Sequence, residues 1–232
     1  MQHKKCMVFG GRRGLDQASL RQSIGRIPEV SKRIKEAQSY IDQESNGTQV
    51  ADLFNVLNGW DGEYTARPKM RSLLAAVVQM GLYDRYHRHF GTPDYMVGNL
   101  NGVSAMNVAA KQMTFEKMVK SSDYFVSLTV DPTTANLKQN ELKLTLTGVS
   151  LEEFGVFGQD SEKKFQQLPW DTKDCYQLLS QLNLDFQVEQ FIHIGPTKEF
   201  RQDEMSKRKI YEFSLGDSLE MDPILNSFWK TA

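Results

Sequence analysis

The chain has 232 residues, long enough for one large core or two small ones, and its 40% hydrophobic and 25% charged residues are ordinary globular composition. With 28 basic against 29 acidic residues the net charge is −1, which excludes a general electrostatic attraction to nucleic acid or to an anionic membrane. Two cysteines, Cys6 and Cys175, are too few for a disulfide framework, and no apolar run approaches the ~20 residues of a membrane-spanning helix. The run Cys6 to Phe9 is also too short for the core of a signal peptide, so a soluble cytoplasmic protein is expected.

Cys6-Met7-Val8-Phe9 reads as a first core strand that opens into the glycine-rich loop Gly10-Gly11-Arg12-Arg13-Gly14. Three glycines let backbone N–H groups approach a ligand, but the loop lacks the G-x-G-x-x-G spacing of a dinucleotide site and the lysine of a phosphate loop. A short helix is predicted over Gln17 to Arg26, and a polar one over Glu29 to Glu44 after Pro28. Val50 to Leu57 forms a third amphipathic stretch. Pro68 suits the first turn of a long helix reaching Phe90, with Leu73, Leu74, Val77, Val78, Gly81 and Leu82 as its apolar face. His87 and His89 near its end, spaced by two, point to different faces and make a poor metal pair. No other Cys/His cluster has metal-ligand spacing.

Pro93 to Thr114 organises the rest. Tyr95-Met96-Val97 reads as a buried strand, Gly98-Asn99-Leu100-Asn101-Gly102 as a sharp turn, and Val103 to Gln112 as a helix of small residues. This is the strand–turn–helix frame of a G-x-S-x-G nucleophile elbow, with leucine in the serine position. Thr114 is the predicted cap of a short helix carrying Phe115, Met118 and Val119. Further strands are expected at Tyr124 to Val130, Leu142 to Thr147 and, last, Gln190 to Ile194, and a helix from Asp171 to Leu182. Leu151 to Phe157 reads as a mixed stretch, and 159–164 as solvated. The tail 200–232 is charged, then apolar at Ile224, Leu225, Phe228 and Trp229, which suits docking on the body, a partner or a second copy. Alternating strands and helices predict a single α/β domain over 1–232 with a largely parallel central sheet.

In order, these fragments resemble the malonyl-CoA:acyl carrier protein transacylase family, the acyltransferases of fatty acid and polyketide synthesis. Phe9-Gly10-Gly11-Arg12-Arg13-Gly14 stands where the family has F-P-G-Q-G-S-Q, and Tyr64-Thr65-Ala66-Arg67-Pro68 where it has Y-T-Q-P. Gly98-Asn99-Leu100-Asn101-Gly102-Val103 stands for G-H-S-L-G-E, and Thr114 to Val119 for the D-F-E-D-A-V stretch. Gln167-Leu168-Pro169-Trp170 and His193 to Phe200 are similar to the family's late Q-L-x-x-P-V-x-W and E-x-G-P-G-K-V-L segments. The resemblance implies a three-layer acyltransferase-like core, and acyl carrier protein or a synthase component as partner.

The same alignment removes the chemistry that the resemblance would imply. Leu100 replaces the serine that attacks the thioester, Asn99 replaces the histidine before it, and Arg12 falls on the loop glutamine. The region Ser121 to Phe125 offers no arginine for a malonyl carboxylate, and Tyr124 to Gln167 contains no histidine. That interval is also short for the family's ferredoxin-like lid, which is expected to be reduced or missing. Acyl transfer needs an activated nucleophile with a base in reach. Ser104 lies one helical turn, ~6 Å, deeper and is expected to face the sheet; His193, on the last strand, is the other weak surrogate.

What remains is binding. The elbow helix N-terminus, with Gly11, Arg12, Arg13, Asn99, Leu100 and Asn101, is a candidate anion site, set against solvated arginines and asparagines that merely hold a turn. The expectation is a catalytically degenerate acyltransferase-fold binding or scaffold protein with no cofactor and no metal. The alternatives are an active transacylase or thioesterase with a rebuilt site, and a small-anion or nucleotide binder.

Overall fold

The computed structural model describes residues 3–10, 15, 18–44, 52–59, 68–99, 102–120, 154–160, 162, 164–168, 175–194 and 202–214. At its centre is Lys4–Phe9 (β1), whose residues from Cys6 onward are buried on both faces, as an interior parallel strand requires. It pairs in parallel with Tyr95–Asn99 (β2) on one side and with Val188–Ile194 (β5) on the other. Outside β5 lies Tyr211–Ser214 (β6), also parallel, and outside β2 lie two antiparallel strands, Phe154–Gln159 (β3) and Phe165–Gln167 (β4). The six-stranded order is β4-β3-β2-β1-β5-β6.

Helices cover both faces. Before β2 come Ala18–Ile24 (α1), Pro28–Glu44 (α2), Leu53–Asn58 (α3) and Pro68–Phe90 (α4). Gly102–Ala109 (α5) and Phe115–Val119 (α6) follow β2, Cys175–Phe186 (α7) precedes β5, and Gln202–Arg208 (α8) links β5 to β6. Met7, Phe9, Met96, Ile192 and Ile194 pack with helices α1 to α6 in one hydrophobic cluster. Cys6, Val8, Val97, Val156 and Phe191, on the alternate positions, pack with Leu178, Leu179 and Leu182 of α7 and Ile210 beyond α8 in a second. Chain crossing from β1 to β2 moves one way along the sheet under α4. The crossing from β5 to β6 moves the other way under α8. Opposite directions with opposite faces are what a single hand of crossover demands.

The long helix α4 is less one-sided than its sequence suggests. Residues 72–83 are all buried, because α4 is sandwiched between the sheet and α2. Gly81 makes that sandwich close: a Cβ there would meet the Val30 Cα at 2.5 Å. Near the same crossing Glu29 binds Arg85 at 3.2 Å and Arg88 at 2.7 Å, with Glu29 and Arg85 both buried.

Most predicted elements are present with shifted ends. The first two helices occupy Ala18–Ile24 and Pro28–Glu44, with Pro28 inside the first turn. Thr114 caps α6 as read, accepting from Lys117 N at 3.1 Å. The elbow helix stops at Ala109 rather than Gln112; Lys111 takes φ 62° and the Gln112 N–H closes back on Asn107 O at 2.8 Å. The helix expected over 171–182 occupies Cys175–Phe186. The stretch read as mixed, 151–157, contributes most of β3, and β4 follows at Phe165–Gln167, where no strand is predicted; between them Glu162 and Lys164 are exposed, as a solvated stretch requires. The strand expected to be last is followed by α8 and β6, so part of the charged tail belongs to the sheet. The strands expected over 124–130 and 142–147, the anticipated loss of the lid, and the apolar tail 224–229 all lie outside the described residues.

Candidate functional site

Strand order fixes where a site belongs. Connections leave β1 and β5 in opposite directions, and in open parallel sheets ligands bind beyond the carboxyl ends of the strands at such a reversal. The carboxyl ends of three adjacent strands lie side by side there, Phe9 paired with Gly98 on one side and with Ile194 on the other.

The predicted strand and the helix after it both lie at that point. Only residues 100 and 101 separate the end of β2 from the start of α5. Gly98 lies beside Phe9 in the sheet, and a Cβ on it would meet Val103 Cα at 2.7 Å. A Cβ on Gly102 would overlap the Phe9 carbonyl, 2.6 Å from its carbon, and reach Gly10 O at 2.8 Å. Both glycines are therefore required by close backbone approach, which brings the first turn of α5 onto the carboxyl end of β1. Its first N–H groups have no partner earlier in the helix, and they carry the positive end of the helix dipole.

Two buried side chains bracket the glycine-rich loop. On the β1 side, Gln79 of α4 donates from Nε2 to Gly10 O at 2.6 Å. On the far side, Arg21 of α1 donates from Nη1 to Leu15 O at 2.9 Å. Arg21 is wholly buried and also holds Leu57 O at 2.9 Å and Gly59 O at 2.8 Å, carbonyls at the negative end of α3. The Gln79 Oε1 is buried without a partner among the described residues, so an unmatched acceptor sits close to the α5 N-terminus. Neither residue was singled out in the sequence. Gln79 does stand out as an amide inside an apolar run, Leu74 to Met80, and that is a usable signal; Arg21 gave none.

The predicted site residues fall in three groups. Gly11, Arg12, Arg13, Leu100 and Asn101 lie outside the described residues. Asn99 ends β2, half-buried and paired with Phe154. Ser104 was expected to face the sheet. The buried face of α5 is instead Gly102, Ala105, Met106 and Ala109, and Ser104 is half-buried beside it. His193 points to the face covered by α7, opposite to α5, because it alternates with Ile192 and Ile194 of the other cluster. There its Nε2 lies 2.6 Å from Oε1 of Glu212 on β6, with both side chains buried. The structure does not bring His193 and Ser104 together.

Cys6 is a poor nucleophile. Complete burial, followed by the charges of Cys175 and Asp94, pushes its thiol well above the ordinary range. His87 and His89 are exposed, with His87 Nε2 3.1 Å from Thr92 Oγ1. Among the described residues no group of three or more His, Cys, Asp or Glu has the placement to hold a metal ion, and no helix is long and apolar enough to cross a membrane.

No protein-family model, curated protein or solved structure matches this chain. The class that follows is a mixed α/β protein with a six-stranded, mostly parallel sheet in which glycines pack the start of α5 against the carboxyl end of β1.

Proposed function

We propose that this chain is a catalytically degenerate protein of the acyltransferase fold, acting as a binding or scaffold component beside acyl carrier protein or a synthase. The observation that carries the reading is the packing of Gly98 and Gly102 against Val103 and Phe9, around a turn whose central residue in the sequence is Leu100. The glycines keep the start of α5 close to β1 and β2. Leucine has no atom that attacks a carbonyl, and a helix N-terminus without a nucleophile gives only a residual effect on acyl transfer. Within reach of that turn the surrogates are weak. His193 is turned to the opposite face and engaged with Glu212, and Cys6 is buried. What remains beyond β2 is the N-terminus of α5, whose first N–H groups would favour a carboxylate, phosphate or thioester oxygen. Arg12 and Arg13, two and three positions beyond Gly10, would supply charge to the same ligand.

The test is incubation with malonyl-CoA and acetyl-CoA followed by intact-mass measurement, together with titration of holo acyl carrier protein into the labelled chain. The expected result is no covalent adduct and saturable binding of the carrier protein. A stable acyl adduct would establish a working enzyme instead, and an absence of carrier-protein binding would remove the proposed partner.

A further inference from the structure

The strongest unassigned feature lies away from the elbow, about 7.5 Å further along α5. A groove of about 450 Å³ opens between the carboxyl end of α5 and the β3–β4 edge of the sheet. Its volume falls in the ~300–1,000 Å³ range of small-molecule sites. Four carboxamides line it, Asn107, Gln112, Gln166 and Gln167, over the rings of Phe157 and Phe165 and the side chain of Met113. No charged side chain is among the lining residues.

Two of the four amides have fixed orientation. Gln166 donates from Nε2 to Asp160 Oδ2 at 2.7 Å, so its oxygen is left as an acceptor. Asp160 is itself held in place, with Oδ1 accepting from Lys164 N and Glu162 N, each at 2.9 Å. Gln112 turns its Nε2 toward Phe165 O at 3.3 Å and Ala110 O at 3.4 Å, again leaving the oxygen. The side-chain amides of Asn107 and Gln167 have no hydrogen-bond partner among the described residues and offer both a donor and an acceptor.

Fixed acceptor oxygens repel phosphate and carboxylate groups, and without a cation nothing offsets that repulsion. They call for ligand hydroxyls. Adjacent hydroxyls on a sugar ring each donate and accept, which matches the free amides of Asn107 and Gln167. The apolar face of the ring matches a phenyl floor. We infer that the Asn107–Gln112 and β3–β4 groove is a binding site for a neutral saccharide.

Amide resonances of the ¹⁵N-labelled full chain test this during titration with N-acetylglucosamine, chitobiose, maltose and cellobiose, with inorganic phosphate and tri-alanine in parallel. The expected result is saturable shifts at residues 107, 112 and 165–167 for at least one sugar, with Kd of about millimolar order. Gln167→Ala and Asn107→Ala should each weaken that binding roughly tenfold, the loss of about one good hydrogen bond. Gln43→Ala, an exposed amide on α2, should leave it unchanged. The inference is overturned if no sugar shifts these resonances up to roughly 50 mM. It is equally overturned if the shifts come only from phosphate or tri-alanine, or if both groove variants bind as well as the parent. Gln167 is exposed, so its variant keeps the fold and the test does not depend on stability.

Discussion

Replacing Gly102 by alanine is the sharpest probe of the elbow. The added methyl would overlap the Phe9 carbonyl, 2.6 Å from its carbon and 2.8 Å from Gly10 O, where ordinary contact begins at 3.4 Å. All of these are backbone atoms at the end of a central strand and the residue after it, so no rotamer change relieves the overlap; α5 must move away from β1. Overpacking of a core costs about 1–3 kcal/mol, and with backbone on both sides the upper end applies. For a chain of this size about 3 kcal/mol lowers Tm by roughly 6–12 °C. Gly25→Ala is the matched control: its methyl would lie 3.2 Å from Leu57 Cδ2, the tip of a side chain that can yield, and 3.3 Å from Arg21 O. Urea unfolding followed by far-UV circular dichroism should give a large drop for Gly102→Ala and about 1 kcal/mol or less for Gly25→Ala. If the two variants unfold within about 0.5 kcal/mol of each other, the first turn of α5 does not rest on β1 and the elbow reading fails.

Glu29→Gln should cost about 3 kcal/mol at neutral pH, since it leaves the buried Arg85 without its carboxylate. Burial alone pushes the Glu29 carboxyl up, but its own backbone N–H, the Arg85 hydrogen bond and the charges of Arg85 and Arg88 outweigh that and hold it below the ordinary 4.5. A depressed carboxyl contributes stability above its unfolded value that is lost as pH falls through its folded value. The gap between parent and variant should therefore shrink below about pH 4.5 in urea titrations, and a gap constant from pH 7 to pH 3 would contradict the ion pair. Iodoacetamide should label the half-buried Cys175 of the native chain well before Cys6, with Cys6 modified only under denaturant; peptide mass mapping reads the order, and early labelling of Cys6 would contradict its burial.

The parts of the fold legible in the sequence were those with long periodic patterns or a strong local stop. Pro68 and the apolar run behind it marked α4, Thr114 marked α6, and Cys6–Phe9, Tyr95–Val97 and Gln190–Ile194 marked the three adjacent interior strands. The outer strands were not legible. β4 has three residues and β6 four, too few for a period of two to stand out, and β3 carries two glycines in six positions. Their order is set by pairing to neighbours far away in sequence, such as Phe191 with Glu212 and Val97 with Val156, and no local propensity encodes that. Glu212 shows the difficulty directly. In sequence it is one acid in a charged tail; in the sheet it is buried against His193.

At the site the sequence separated two requirements that a motif joins. Glycines at 98 and 102 answer to distance, since Val103 and Phe9 leave no room for a side chain whatever the turn does chemically. The residue midway answers to reactivity, and there the chain has Leu100. A G-x-x-x-G turn between a buried strand and a small-residue helix is hence evidence about packing at a sheet's switch point, and it would be needed equally by an enzyme and by a binding protein. Gln79 and Arg21 extend the same reasoning. They hold Gly10 O and Leu15 O on either side of the glycine-rich loop, so the positions of the loop's ends are specified by side chains that take no part in any acyl-transfer scheme. Because that scaffolding is costly in buried polar groups, with the Gln79 oxygen unmatched among the described residues, a donor offered there would relieve a penalty of about 1–3 kcal/mol.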